Sequence, residues 1–142
     1  MKINEFVKPD MEVARSVNLE RDAGSIGIVK DYQITDKTRE VLSRFKDALF
    51  GENISAWSLT GPYGMGKSSF INYLLALTSA PNTDLAMNAW QNLKKADTDL
   101  YEKLLEGINT INGQGFLQIP VTASYEPVNS SVLRGIKNAL KT

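Results

Sequence analysis

The residues whose types and spacing suit chemistry form one short stretch, Gly61-Pro62-Tyr63-Gly64-Met65-Gly66-Lys67-Ser68. It matches the pattern G-x-x-x-x-G-K-[ST] at every fixed position. The glycines allow consecutive backbone N–H groups to surround phosphate oxygens, because a side chain there would hold the backbone away. The ammonium group of Lys67 would reach the β- and γ-phosphates, and the hydroxyl group of Ser68 would ligate Mg²⁺. The stretch therefore predicts a phosphate-binding loop.

We call residues 61–69 the glycine loop and expect them to bind ATP with Mg²⁺. Lys67 is the expected catalytic residue, and Ser68 is the expected metal ligand. The expected ATP contacts, mostly through backbone groups, are Gly61, Pro62, Tyr63, Gly64, Met65, Gly66, Lys67, Ser68 and Ser69. The alternative is a glycine-rich turn between two elements that binds no ligand.

The segments on either side of the glycine loop must position it. Before it, residues 54–60 are apolar and β-prone without clean alternation, which predicts a parallel strand buried on both faces. After it, apolar residues recur at helical spacing and stop before residues 78–82, which predicts a helix. These apolar residues are Phe70, Ile71, Leu74, Leu75 and Leu77. A strand, a loop and a helix in this order predict an α/β fold with a largely parallel sheet.

The overall composition limits the chemistry that this chain can perform. Sixteen basic and sixteen acidic residues cancel among the 142, so charge predicts no attraction to nucleic acid or to an anionic membrane. The absence of Cys and His excludes zinc sites built on those ligands, thiol nucleophiles and imidazole catalysis. Phosphoryl transfer needs none of them. With no apolar run of about 18 residues and no signal peptide at Met1–Glu5, we expect a cytoplasmic protein.

The N-terminal third contains one clear helix signal. Residues 1–30 show no firm periodicity and predict an N-terminal arm, extended with two glycine turns. Residues 31–142, which contain the glycine loop, are expected to form the N-terminal part of a P-loop ATPase domain. Thr35 is the predicted N-cap of a helix, with Asp36 in its first turn and an apolar stripe from Val41 to Leu49.

The C-terminal half predicts two helices, a strand and a last helix. The two helices carry Trp90 and Tyr101 on apolar stripes, where core packing is favoured over a stacking platform for bases. Residues 116–125 alternate as a strand does, near a sheet edge because Pro120 lacks a donor. Glu126 then lies at the carboxyl edge, where it is either a ligand-site residue or a solvated one. Asn129 or Ser130 is the expected cap of the last helix.

No later strand of four apolar residues ends in Asp, so the chain lacks the carboxylate that would hold Mg²⁺ and position an attacking water molecule. This absence indicates a domain that is cut before the strand completing its site. Three blocks of sequence, residues 15–22, residues 32–35 and residues 56–70, resemble the start of large bacterial P-loop ATPases of the AAA+ or STAND type, many of which sit in anti-phage defence islands.

The resemblance implies the three-layer α/β/α P-loop NTPase fold, ATP with Mg²⁺, self-oligomerisation, and a remodelling or signalling role among other subunits of a defence complex. Nucleic acid would be met only through the larger assembly, and no membrane is expected. Such ATPases often seat the adenine base beside the segment that corresponds here to Tyr32–Thr35. The alternative for Tyr32 and Ile34 is simple core packing.

The leading hypothesis is thus the ATP-binding domain of a larger Mg²⁺-dependent ATPase. A small-molecule or nucleotide kinase is an alternative, although Arg134 is the single Arg after Ser68 and a kinase lid needs several. A GTPase is disfavoured because no Asn-Lys-x-Asp sequence occurs. A non-hydrolysing, nucleotide-dependent interaction module is the remaining alternative, and it fits the missing carboxylate.

Overall fold

The computed structural model describes residues 19–22, 24–51, 56–122 and 124–141, and these residues form helices joined by irregular segments. Within these ranges there are seven helices and no β-strand. The helices are α1 (Leu19–Asp22), α2 (Ile26–Lys30), α3 (Asp36–Phe50), α4 (Lys67–Thr78), α5 (Asp84–Ala96), α6 (Thr98–Asn112) and α7 (Val128–Ala139).

The predicted α/β fold, three layers around a largely parallel sheet, is therefore wrong. Of the strand expected at residues 54–60, residues 56–60 are exposed and unpaired, and residues 54 and 55 lie outside the described residues. The strand expected at residues 116–125 is also unpaired within its described part. An apolar, β-prone run becomes a strand only when a neighbouring segment completes its hydrogen-bond ladder. Neither segment finds such a neighbour in the described chain.

Of the two caps that the sequence analysis names, the one at Thr35 is present, and the one expected for α7 is the exception. Thr35 caps α3, since its Oγ1 accepts a hydrogen bond from the N–H of Thr38 at 3.2 Å. Asp97 caps α6 by accepting from the N–H of Leu100 at 2.9 Å. Such caps satisfy donors that have no partner inside a helix. The exception is α7, which begins after Pro127 without a side-chain cap, so the expected cap at Asn129 or Ser130 is wrong.

The core lies between the four longest internal helices and α2. Helix α6 contacts α3 and α5, α5 also contacts α4, and α2 packs against both α4 and α5. Fully buried side chains come from each of these five helices, among them Val29, Leu42, Tyr73, Leu93 and Leu104. Burying a large apolar side chain contributes about 1.5–3 kcal/mol, so this shared core holds the helices together.

The N-terminal part of the described chain differs from the expected extended arm. Residues 1–18 of the predicted arm lie outside the described residues, whereas residues 26–30 are helical and bury Val29 in the core. The predicted boundary at residue 30, between an N-terminal arm and the ATPase domain, stays a prediction. None of the helices in the described ranges combines the length and the apolarity that crossing a membrane requires.

Candidate nucleotide site

Two glycines of the glycine loop, just before α4, have left-handed backbone conformations. Gly64 has φ = 81° and Gly66 has φ = 75°, a region that side chains with a Cβ avoid. Gly66 is also the N-cap of α4, and it offers no side chain to the first turn. Within the described chain, the N–H groups of Lys67, Ser68 and Ser69 make no hydrogen bond. They are three donors at the positive end of a helix, which favours an anion.

Lys67 folds back along the glycine loop. Its Nζ donates hydrogen bonds to the carbonyl oxygen of Gly61 at 2.8 Å and to that of Pro62 at 2.7 Å. An ammonium group carries three N–H bonds, so one donor remains for a ligand. The two bonds hold the positive charge against the backbone of the loop.

A cavity of about 480 Å³ opens beside the glycine loop. Its walls come from the segment before α3, from the first turns of α3, and from the loop with the start of α4. The lining residues are Tyr32, Gln33, Thr35, Lys37, Thr38, Val41, Leu59, Thr60, Gly61, Pro62, Met65, Gly66, Lys67 and Phe70. The structure thus brings the loop together with three of the four residues named as candidate base contacts. Ile34, the fourth, packs against the core instead.

Tyr32 forms part of the cavity wall and part of the core at once. Its ring stacks on Tyr73 with 4.6 Å between centroids and an 18° interplanar angle, and its hydroxyl group lies 3.2 Å from Oγ1 of Thr38. Burial raises the pKa of Tyr32, with the Thr38 hydrogen bond opposing the shift, and burial likewise raises the pKa of Tyr73. Both phenols therefore stay neutral near pH 7.

The remaining expected contacts take different positions. The side chains of Tyr63 and Met65 are 95% and 70% exposed, and Met65 borders the cavity. Ser68 and Ser69 lie half-buried in the first turn of α4. The Ser68 hydroxyl group forms no hydrogen bond in the described part of the chain. It is free to bind a metal ion.

Mg²⁺ fits this site only together with a nucleotide. The described residues contain no group of three His, Cys, Asp or Glu side chains that would hold a metal ion. Mg²⁺ usually keeps several water molecules and is bound through one or two protein oxygens plus substrate phosphates. One serine hydroxyl suits that arrangement, whereas a metal site built from protein ligands alone does not exist among the described residues.

The cavity is bordered by two cations and no carboxylate among the described residues. Lys67 is one cation, and Lys37 is the other. Nζ of Lys37 donates to Oε2 of Glu40 at 2.6 Å, and this hydrogen bond, with the charge of Lys37, lowers the pKa of Glu40. Lys37 is therefore already paired, which leaves Lys67 as the principal positive charge facing the cavity.

Two candidates from the sequence lie elsewhere. Trp90 and Tyr101 are partly buried, pack edge-to-face with 5.7 Å between ring centroids, and lie against the core, which favours core packing over a stacking platform. Glu126 lies outside the cavity, where its Oε1 accepts from Ser124 at 2.7 Å, Ser131 at 2.8 Å and Arg134 at 3.0 Å. These hydrogen bonds lower the pKa of Glu126 to about 2. Glu126 thus links Ser124, before α7, to Ser131 and Arg134 of α7.

The cavity also contains residues that sequence reasoning missed, namely Lys37, Thr38 and Val41 of α3. Their helix was predicted from its cap, but its contact with the glycine loop follows from packing between distant parts of the chain. No local pattern carries that information. No family model, curated protein or solved structure matches this chain.

Proposed function

We propose that this protein binds a nucleoside triphosphate, with its Mg²⁺ ion, at the glycine loop. The observation that carries the proposal is the position of Lys67, whose ammonium group is held at 2.8 and 2.7 Å by two carbonyl groups of the loop itself. Beside it stand three N–H donors without partners in the described chain. A cationic side chain and free backbone N–H groups on one short loop are the kinds of donor that recognise phosphate groups.

The cavity supports a nucleotide rather than inorganic phosphate as the ligand. It extends from the loop to Tyr32, Gln33 and Thr35, and so offers room for a base and a sugar. Most of its walls are apolar, with a few polar groups that would set orientation, which is typical of small-molecule sites. The exposed amide of Gln33 is suited to donate to and accept from the edge of a base.

The affinity should be modest because few charges oppose those of the ligand. ATP carries about four negative charges. The groups that would neutralise them are Lys67, a helix terminus worth about half a charge, and a metal ion held by one serine. We expect a dissociation constant in the micromolar range or weaker, which corresponds to about −8 kcal/mol or less favourable.

Calorimetric titration with ATP and Mg²⁺ tests the proposal. Lys67→Ala should weaken binding by at least about tenfold, because it removes the main cation of the site. Lys95→Ala is the matched control, since Lys95 is an exposed residue of α5 outside the cavity. Equal affinities for the wild type and Lys67→Ala would refute the proposal. Parallel titrations with GTP and AMP separate an ATP site from a guanine site and from a nucleotide-kinase acceptor site.

A second candidate function is binding without hydrolysis. No Asp or Glu lines the cavity among the described residues, so no carboxylate is placed to orient an attacking water molecule. The ligand would then act as a structural clamp between α3 and α4. Steady-state hydrolysis of ATP that disappears in Lys67→Ala would contradict this candidate while leaving nucleotide binding intact.

The wider role stays a prediction. A remodelling or signalling function in a bacterial defence complex, with other subunits as partners, was implied by the resemblance to AAA+ and STAND ATPases. The helical architecture of the described residues adds no support to that resemblance, and the glycine loop alone carries the present proposal.

A further inference from the structure

Asn72 of α4 is a buried polar side chain without a hydrogen bond. It is 4% exposed, and within the described residues neither its Oδ1 nor its Nδ2 has a hydrogen-bond partner. Burying an unpaired amide is costly, because its hydrogen bonds to water are lost and not replaced. Native proteins contain few such groups, and a bound ligand or ion can explain one by completing it.

The position of Asn72 on α4 places it beside Ser68. Residues four apart lie on the same face of an α-helix, with about 5–6 Å between their Cβ atoms. The Cα–Cβ bonds of a helix tilt toward its N-terminus, so a side chain lies over the turn that precedes it. The amide of Asn72 is therefore directed toward the first turn of α4, which carries the proposed metal ligand.

The hydroxyl group of Ser68 lacks the acceptor that hydroxyl groups in helices often use. Near the other end of α4, Oγ1 of Thr78 donates to the carbonyl group of Leu74, four residues earlier, at 3.0 Å. The corresponding residue for Ser68 is Gly64, which has φ = 81° and lies in the glycine loop before the helix. The described chain contains no hydrogen bond from Ser68 to Gly64 or to any other residue.

We propose that Asn72 positions Ser68 as the ligand of the nucleotide-bound Mg²⁺ ion, a role that rests on the proposed function. A hydroxyl group has one donor and two acceptor lone pairs. When the oxygen of Ser68 binds the metal ion, its O–H still needs an acceptor, which Oδ1 of Asn72 supplies. Replacing residues that orient a metal ligand in this way typically costs about 10–100-fold in metal affinity. Asn72 acts through Ser68 and is therefore a positioning residue.

Calorimetric titration with ATP, once with Mg²⁺ and once with excess EDTA, tests the role of Asn72. Asn72→Leu removes the amide and keeps the same number of heavy atoms. It should weaken ATP binding about tenfold in Mg²⁺, because Ser68 is then poorly held, and leave the affinity in EDTA unchanged. Asn109→Leu is the matched control, since Asn109 is an exposed residue of α6 outside the cavity. It should match the wild type in both titrations.

A double variant separates positioning from an independent contact. Ser68→Ala should show the same loss in Mg²⁺ as Asn72→Leu. The two substitutions together should lose no more than Ser68→Ala alone, because Asn72 acts only through Ser68. Additive losses, or a loss in EDTA as large as the loss in Mg²⁺, would overturn the proposal.

Urea unfolding without nucleotide distinguishes this role from a structural one. Asn72 has no hydrogen bond to lose within the described residues, so Asn72→Leu should unfold at the same urea concentration as the wild type or at a higher one. The smaller Asn72→Ala serves where the leucine is crowded. A lower midpoint for both variants would overturn the proposal, because the fold itself would then use the amide.

The same titrations separate a failure of this inference from a failure of the proposed function. If the wild type does not bind ATP, the proposed function fails and the role of Asn72 fails with it. If the wild type binds ATP through Lys67 and Asn72→Leu binds it equally well in Mg²⁺, only the role of Asn72 fails.

Discussion

The two ends of α4 differ in how their polar groups are hydrogen-bonded. At its N-terminal end the described chain leaves the N–H groups of the first turn without partners, and Gly66 caps the helix with no side chain. At its C-terminal end, Oγ1 of Thr78 donates to the carbonyl of Leu74 at 3.0 Å, and Oγ of Ser79 donates to that of Leu75 at 2.8 Å. The side-chain amide of Gln118 reaches the same Leu75 carbonyl.

Under the proposed function, we expect this difference to separate nucleotide binding from stability along α4. The C-terminal end uses its polar groups within the fold, so changes there should lower the free energy of unfolding. If the N-terminal end binds the proposed nucleotide, changes there should mainly lower affinity. The first N–H groups of any helix have no partner inside the helix, so water or a ligand can accept from them.

The largest effect is expected from Gly115→Ala at the C-terminal end. Gly115 has φ = 88°, and a Cβ there would lie 2.7 Å from the backbone nitrogen of Ala80 and 2.8 Å from the carbonyl carbon of Ser79. Left-handed strain costs about 1–2 kcal/mol, and the clash with backbone atoms adds to it. We expect a loss of about 3 kcal/mol or more in urea unfolding. A loss below about 1 kcal/mol would show that the loop can shift.

Gln118→Ala should have the next largest effect. Its Nε2 lies 3.0 Å from Oγ1 of Thr78 and 3.2 Å from Oγ of Ser79, besides the bond to Leu75. Removing this donor should cost about 1–2 kcal/mol. Gln114→Ala is the matched control, since that side chain is exposed and makes no hydrogen bond in the described chain. Equal unfolding midpoints for the two variants would contradict the role given to Gln118.

Gly66→Ala makes the same substitution as Gly115→Ala, but at the N-terminal end of α4. Gly66 has a similar φ of 75°, but a Cβ there would meet no atom within 4 Å. Only left-handed strain remains, and we expect a loss of about 1 kcal/mol in the free energy of unfolding. ATP binding should weaken by about tenfold or more, because the loop can no longer present its N–H groups in the same way. A stability loss as large as that of Gly115→Ala would show that the two ends of α4 do not differ in their contribution to stability.

The smallest effect concerns Glu126 and pH. Hydrogen bonds from Ser124, Ser131 and Arg134 lower its pKa from 4.5 to about 2. Because the folded-state pKa is depressed, the stabilisation is present above about pH 4.5 and is lost as pH falls through about 2. The unfolding midpoint of the wild type should fall more between pH 6 and pH 2.5 than that of Glu126→Gln. Identical pH profiles would show that the cluster around Glu126 does not hold α7.

The sequence predicted helices well and the fold class wrongly. The caps at Thr35 and Asp97 are local features, since the capping side chain and the N–H that it binds lie three residues apart. The strands were predicted from local patterns too, but a strand depends on a partner distant in sequence. At residues 116–121 no strand forms in the described chain, because Gln118 binds the end of α4 while Ile119 and Val121 lie against Gly135 of α7.

The sequence by itself determined the glycine loop, because its chemistry depends on residue types at consecutive positions. Left-handed conformations at Gly64 and Gly66, and a lysine that reaches back to Gly61, need only short-range geometry. The tertiary structure decided which surface faces the loop, placing Tyr32, Gln33 and Lys37 across the cavity. It also decided which apolar residues became core. Both outcomes depend on packing between helices far apart in the chain, where the free energy lies in contacts that no local pattern specifies.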